Sequence, residues 1–522
     1  MTNPRATVAT LLRERRRHAD QALLICDDDR LTYADADARS SVLAQRLVAL
    51  GAGKGTHVGL LYPNGSDFVV AMLAAARIGA VVVPFSTFST ARELRRQLID
   101  SDVSILLAAR AYRNHDYEAA LHEAVGAPLN VGTLYSATVP VLRHLVLDGE
   151  FDANPEPRSL DGVDDLEDHV DGCDVLAIIY TSGSTSDPKG VVHAHASLIG
   201  HQRSLNEIRA LTEDDRLFCN SPFFWIGGFA FGLLATLAAG ATLICSNATD
   251  AARTLDLIEA ERPTVTNGFV AGIAHLTRHP SFARRDLSSM RRGNLYPIMA
   301  PEVRPADPEL RHNMLGMSEA GSVVLLSGDE SDQPESRRGS YGFLAPGFEA
   351  RIVEPDSGRD IKTSAGELLL RGPFLMQGYY GRSREDTFDA DGWFHTGDVV
   401  RRDDDGAFYF VGRAGSMIKT AGANVTPAEV EKAFATVLEP IDPDAVVHVL
   451  GLPDDERGQI VAAAIASDTV AAFDEPAVRN ALRSQLSAYK IPRRIITLRH
   501  GEVPMLSSGK VDLPALKRLF DA

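Results

Sequence analysis

The stretch Tyr180 to Gly190, Tyr-Thr-Ser-Gly-Ser-Thr-Ser-Asp-Pro-Lys-Gly, crowds hydroxyls, glycines and one lysine into a single loop. Gly183 and Gly190 let the backbone approach a ligand closely, and Thr181, Ser182, Ser184 and Thr185 offer hydroxyl donors. Successive unpaired N–H groups add an anion nest. With the Lys189 ammonium, this is the chemistry of a polyphosphate cradle. It is not the Walker pattern, because no Gly-Lys-Ser/Thr closes it. A Ser/Gly-rich surface turn is the plainer alternative, but hydroxyl density alone would not place Pro188-Lys189-Gly190 at its exit.

Such a loop needs a rigid frame. The apolar run Val175 to Ile179 enters it and Val191-Val192-His193 leaves it. Residues 20 to 150 alternate short apolar runs, such as Val58 to Tyr62 and Val81 to Pro84, with amphipathic stretches such as Ser40 to Leu50. That alternation predicts an α/β fold of helix-covered parallel sheets. A chain of 522 residues is too long for one ordinary core, so two to four domains or subdomains are expected.

Composition narrows the function classes. With 45% hydrophobic and 24% charged residues the chain has the profile of a soluble globular protein, and no apolar run reaches the ~18 residues of a membrane span. Arg13 to Arg17 lacks a following signal core and reads as a surface helix. A net charge of −17 argues against nucleic acid or anionic lipid as partners, so a polyanionic ligand must be held by local donors. Cys26, Cys173, Cys219 and Cys245 show no metal-like spacing and read as reduced, mostly buried thiols, which predicts a cytoplasmic protein. The acidic segment Asp161 to Asp174 reads as a solvated connection.

The loop resembles the phosphate-binding signature of the adenylate-forming superfamily, which includes acyl- and aryl-CoA ligases, peptide-synthetase adenylation domains and beetle luciferases. Ser186 stands where the family has Gly. Further motifs follow in the family's order. Leu315-Gly316-Met317-Ser318-Glu319 resembles its Tyr-Gly-x-Thr-Glu, which implies that Gly316 and Ser318 contact ATP, that Ser318 acts beside phosphate, and that Glu319 holds Mg²⁺. Leu315 replaces an adenine-stacking aromatic. His395-Thr396-Gly397-Asp398 implies a ribose-binding Asp398, and Phe408 to Arg413 implies that Arg413 reaches the ribose or α-phosphate. Pro504 to Asp512 resembles the catalytic-lysine loop, with Lys510 as the lysine.

The same resemblance implies a large N-terminal domain over residues 1–412, with a small β-rich subdomain at about 340–412. A small mobile α+β domain follows over 413–522. Gly415 occupies the hinge, where glycine has the widest backbone freedom, and the Gly422-Ala423 loop lines the thiol tunnel. Asn220 to Phe229 corresponds to a wall of the acyl pocket, here Phe224, Trp225, Gly227 and Phe229, with Trp225 where many CoA ligases have His. A buried packing cluster is the competing reading of those aromatics. Amino-acid-activating relatives carry an Asp in this segment; here it has no acid, so a free α-amino acid would leave a buried cation unpaired. Gly293 to Pro301 lacks the family's Gly-Gly-Ala-Pro turn.

These residues imply an ATP-, Mg²⁺- and CoA-dependent ligase that converts a hydrophobic or aromatic carboxylic acid to acyl-AMP and then to a thioester. Three alternatives stand beside it: transfer to a carrier-protein phosphopantetheine, ATP-dependent nitrite activation for diazotisation of an aryl amine, and a non-catalytic binding homologue. The last would be expected to lose Glu319, Asp398 or Lys510, and all three are present. Oligomeric state is not legible.

Overall fold

The computed structural model describes the chain apart from residues 1–5, 130–131, 151–160, 182–187, 355–357, 362–364, 414–417, 426, 469–473, 506–510 and 521–522, and gives only the backbone of 161, 162, 271, 413, 424 and 428. The chain divides into two units. The first comprises Met1–Thr87, Gln97–Thr181 and Gly190–Ala414; the second comprises Phe88–Arg96, Ser182–Lys189 and Gly415–Ala522.

In the first unit the alternating apolar runs become two helix-covered sheets. In one, the strands His57–Leu61, Val81–Pro84, Ile105–Ala108 and His144–Leu147 pair in parallel, as does Val81–Pro84 with Val175–Thr181. In the other, Arg292–Gly293, Val265–Asn267, Arg216–Cys219, Thr242–Cys245 and Ala22–Cys26 are parallel, and Asp29–Thr32 closes the edge antiparallel. Burial on both faces explains why inner strands such as Val81–Pro84 and Ile105–Ala108 are nearly continuous Val, Ile and Leu. Helix Ser66–Arg77 is buried over almost its whole length, which suits its apolar composition. The β-rich part is a four-stranded antiparallel sheet of Glu349–Val353, Gly366–Arg371, Phe394–Arg402 and Phe408–Arg413.

Two composition readings are refined. The acidic segment is not wholly solvated: in helix Asp161–Asp168 the Glu167 side chain is buried and accepts from Arg77 at 2.5 Å and Arg13 at 2.9 Å. Arg77 also meets Asp37 at 2.9 Å, so its buried guanidinium is compensated twice. Arg13, in helix Val8–Arg15, thereby anchors the N-terminal segment. Cys26, Cys219 and Cys245 are buried free thiols, whereas Cys173 is exposed.

The second unit is α+β. Its sheet contains the strands Ala423–Val425, Ile418–Thr420, Gly458–Ala466, Val446–Asp454 and Arg494–Leu498, accompanied by helices Pro427–Leu438, Glu475–Arg483 and Leu513–Arg518. Ala421 (φ 48°) and Gly422 (φ 83°) form the two-residue turn of its first hairpin. Lys490 is buried between Glu93 at 2.9 Å and Glu429 at 2.7 Å, and Ser487 Oγ donates to Glu93 at 2.6 Å. Burial alone would raise the Glu93 carboxyl, but the Lys490 ammonium and the Ser487 hydroxyl outweigh it and lower it.

Candidate active site

The strand Lys189–Ala194, which leaves the hydroxyl-rich loop, organises the acidic turn. Val191 and Val192 pair antiparallel with Tyr379 and Gly378, so the strand carries its own neighbour. Tyr379 Oη donates to Glu319 Oε1 at 2.7 Å, and the Met376 N–H donates to the Glu319 carbonyl at 2.8 Å. His193, fully buried on the same strand, meets the Ser318 carbonyl through Nε2 at 2.6 Å. A carbonyl can only accept, so Nε2 carries the proton. Burial lowers the His193 pKa to about 4, which keeps the ring neutral.

Helix His195–Ile208 adds two further braces. Gln202 Nε2 donates to the Gly321 carbonyl at 3.1 Å, and His201 Nε2 donates to the Val323 carbonyl at 2.9 Å. The turn Ser318–Ala320 then ends in the left-handed Gly321 (φ 69°) and leads into Ser322–Leu326. Glu319 is half-buried, with one carboxylate oxygen oriented by a phenol. Gly316 sits on the facing strand, where a Cβ would lie 2.9 Å from the Ser322 carbonyl oxygen.

Asp398 stands on Phe394–Arg402, with its backbone paired in register to Arg413. It is 3% exposed, and its N–H donates to Thr396 Oγ1 at 3.0 Å. Glu367 holds the preceding turn by accepting from the Gly397 N–H at 3.1 Å. Burial, with smaller pushes from the Glu309 and then the Asp398 carboxylates, raises the Tyr341 phenol.

The aromatic segment divides. Trp225 is half-buried, 5.3 Å from the Phe224 ring and 5.9 Å edge-on from Phe269. Phe229 is fully buried against Phe68 at 6.4 Å, and Phe223 joins them in the core. Gly227 opens the π-helical stretch Gly227–Leu234. At the next residue, Gly228, a Cβ would lie 2.1 Å from the Pro222 carbonyl oxygen. A π-turn in this position re-aims the segment that carries Trp225.

Thr181 ends the strand Val175–Thr181, and Lys189 opens Lys189–Ala194. Ser182, Gly183, Ser184, Thr185, Gly415 and Lys510 lie outside the described residues, as does the Arg413 side chain. Gly422 and Ala423 form the second unit's first hairpin. The structure thus gathers Gly316, Ser318 and Glu319 with His193, Gln202 and Tyr379, residues that sequence reasoning left without a role. Their signal was faint: a histidine that follows an apolar run, and a glutamine and a tyrosine far from Glu319 along the chain.

The sequence matches the AMP-binding enzyme family over residues 11–380. It is 32% identical to a feruloyl-CoA synthase of an Amycolatopsis species, over 94% of both chains. It is 28% identical to 4-coumarate–CoA ligase 3 of Oryza sativa, over 92% of this chain and 85% of the rice protein. Among solved structures, the amide bond synthetase McbA of Marinactinospora thermotolerans superposes with a TM-score of 0.78 at 22% identity, covering 98% of this chain and 99% of McbA. An anthranilate CoA ligase in complex with anthranoyl-AMP gives 0.66 at 22% identity, covering 99% and 98%. Among the described residues no helix is long and apolar enough to cross a membrane. With a family match spanning most of its length and a feruloyl-CoA synthase resembling it nearly end to end, the chain belongs to the AMP-binding enzymes, the adenylate-forming superfamily, on the side of the acyl- and aryl-CoA ligases.

Proposed function

We propose that this chain activates a hydrophobic or aromatic carboxylic acid lacking a free α-amine, forming acyl-AMP and pyrophosphate, and then transfers the acyl group to the thiol of CoA. The observation that carries the reading is the Ser318–Glu319 turn, held by His193, Gln202 and Tyr379 beside the strand that leaves the phosphate loop. A carboxylate does not react with a thiol, because its carbon is a poor electrophile and oxide cannot leave. In the first step a carboxylate oxygen forms a bond to the α-phosphorus of ATP as the bond to pyrophosphate breaks. In the second, the thiolate attacks the acyl carbon and AMP departs.

The turn suits magnesium. Among the described residues no three acidic, His or Cys side chains gather into a cage, and this ion commonly takes one carboxylate together with waters and substrate phosphates. Glu319 would supply that carboxylate, and the bound ion would neutralise phosphate charge. The chain's own residues do the rest. The loop at 181–190 would cradle the phosphates through N–H and hydroxyl donors, Asp398 would accept from the ribose hydroxyls, and Arg413 would pair with oxyanion or ribose oxygens. Lys510 would stabilise charge on the α-phosphate and the attacking oxygen during adenylation, then withdraw as the small domain turns about Gly415 and brings Gly422 and Ala423 to the thiol.

The test is AMP release with Mg²⁺ over a panel of fatty, aryl and cinnamic-type acids, each with and without CoA, plus nitrite with an aryl amine. AMP formation that needs both an acid and CoA is expected. Turnover with nitrite and none of the acids would overturn the reading, and turnover only with a phosphopantetheinylated carrier would move the acceptor from CoA to protein.

A further inference from the structure

The strand Phe394–Arg402 does not run evenly past its neighbours. Glu367 pairs with Val399 and Leu369 with His395, so three residues, Thr396, Gly397 and Asp398, stand opposite the single Leu368. On the other side Val399 faces Gly412 and Val400 faces Phe410, which leaves Val411 as an extra residue of the adjoining strand. Bulges of this kind bend a strand, re-aim a side chain and leave backbone groups without a ladder partner. Here the chain passes through the left-handed Gly397 (φ 70°) on its way to Asp398.

Side chains stand in for the missing ladder. The Gly397 N–H donates to Glu367 Oε1 at 3.1 Å, and the Asp398 N–H donates to Thr396 Oγ1 at 3.0 Å. The same Thr396 hydroxyl donates to the Leu368 carbonyl at 2.6 Å, which bolts the bulge to the neighbouring strand. Glu367 is held in turn: His395 Nδ1 meets its Oε2 at 3.2 Å, and because a carboxylate only accepts, Nδ1 carries the proton. Both oxygens of Glu367 are thus committed to the bulged strand. Backbone with spare residues can be arranged in several ways, and these bonds select one of them. A carboxylate that is to meet two adjacent ribose hydroxyls needs that selection, since its direction must be fixed to within about 0.5 Å.

We infer that Glu367 and Thr396 are the positioning residues of this bulge, holding the Asp398 carboxylate where it meets the ribose hydroxyls of ATP. This rests on the ribose role proposed above for Asp398. Glu367 acts through the Gly397 N–H, so what it supplies is a correctly placed acceptor.

The experiment measures binding of ATP and of 2′,3′-dideoxy-ATP, which lacks both hydroxyls, by titration calorimetry with Mg²⁺ and no acid. The wild-type chain should favour ATP by about 10-fold or more. Glu367→Ala should cut that preference to about 2-fold by weakening ATP alone, with the dideoxy nucleotide held near its wild-type affinity, a split that general loosening of the fold would not give. Glu367→Gln keeps an acceptor for the Gly397 N–H and should return the preference to within about 3-fold of wild type. In an Asp398→Ala background, Glu367→Ala should change neither affinity further. Equal weakening of both nucleotides, a Gln variant as impaired as the Ala variant, a further loss in the Asp398→Ala background, or a wild-type chain that binds both nucleotides alike overturns the inference. The expected pattern in a chain that releases AMP with none of the acids would instead sink the ligase reading and leave the positioning of Asp398 standing.

Discussion

Glu319 meets its surroundings through one oxygen on Tyr379 and a backbone locked on both sides, so its charge and its placement can be altered separately. Glu319→Gln keeps the shape and removes the charge; AMP formation at saturating ATP should fall by about 10²- to 10³-fold, with the melting temperature unchanged within a few degrees. Tyr379→Phe keeps the charge and frees the carboxylate. It should cost less, about 10-fold, chiefly as a higher Mg²⁺ requirement in a pyrophosphate-release assay. A Tyr379→Phe defect as large as that of Glu319→Gln would mean the phenol does more than orient. Glu319 was legible because its motif is contiguous. Tyr379 and Glu367 were not, since their partners lie 60 and 30 residues away, and only strand pairing brings them together.

The strand Lys189–Ala194 and the helix that follows it carry three buried imidazoles, His193, His195 and His201, which burial lowers to about 4, about 4 and about 3. Unfolded, each would titrate near 6.5, so between that value and about 4 the unfolded chain binds more protons. Stability is therefore complete above about pH 6.5 and falls as the pH drops through the folded values, by roughly 3 kcal/mol each for His193 and His195 and roughly 5 kcal/mol for His201 at the extreme. Urea unfolding at pH 7.5, 6 and 5 should show the midpoint dropping steadily. A flat profile would contradict neutral, buried histidines. The glycine-dependent turns are also sharply constrained: Gly228→Ala and Gly293→Ala drive a methyl into a carbonyl oxygen and should each cost about 3 kcal/mol or more in the same assay. Element types were largely legible here, because doubly buried strands must be continuous apolar runs. The π-helical stretch was not: its composition reads as an ordinary apolar helix, and what sets it apart is the closeness of Gly228 to Pro222.

For the whole chain, the two-step chemistry predicts that Lys510→Ala abolishes adenylate formation while thiolysis of supplied acyl-AMP survives; equal loss of both would contradict a rotation that removes the lysine between steps. Sequence motifs in order suggested a division near residue 412, whereas the compact second unit also takes in Phe88–Arg96, which no linear motif could announce. That has a consequence for synthesis. Glu93 leaves the ribosome 397 residues ahead of Lys490, the cation that completes its triad. At about 5 to 20 residues per second, its carboxylate waits roughly 20 to 80 s, while most of the first unit is being made. Through that interval Glu93 has its neighbour Thr90, whose N–H and hydroxyl donate to it at 2.8 Å and 3.2 Å, but not its cation, and the triad closes only when the last tenth of the chain is being made.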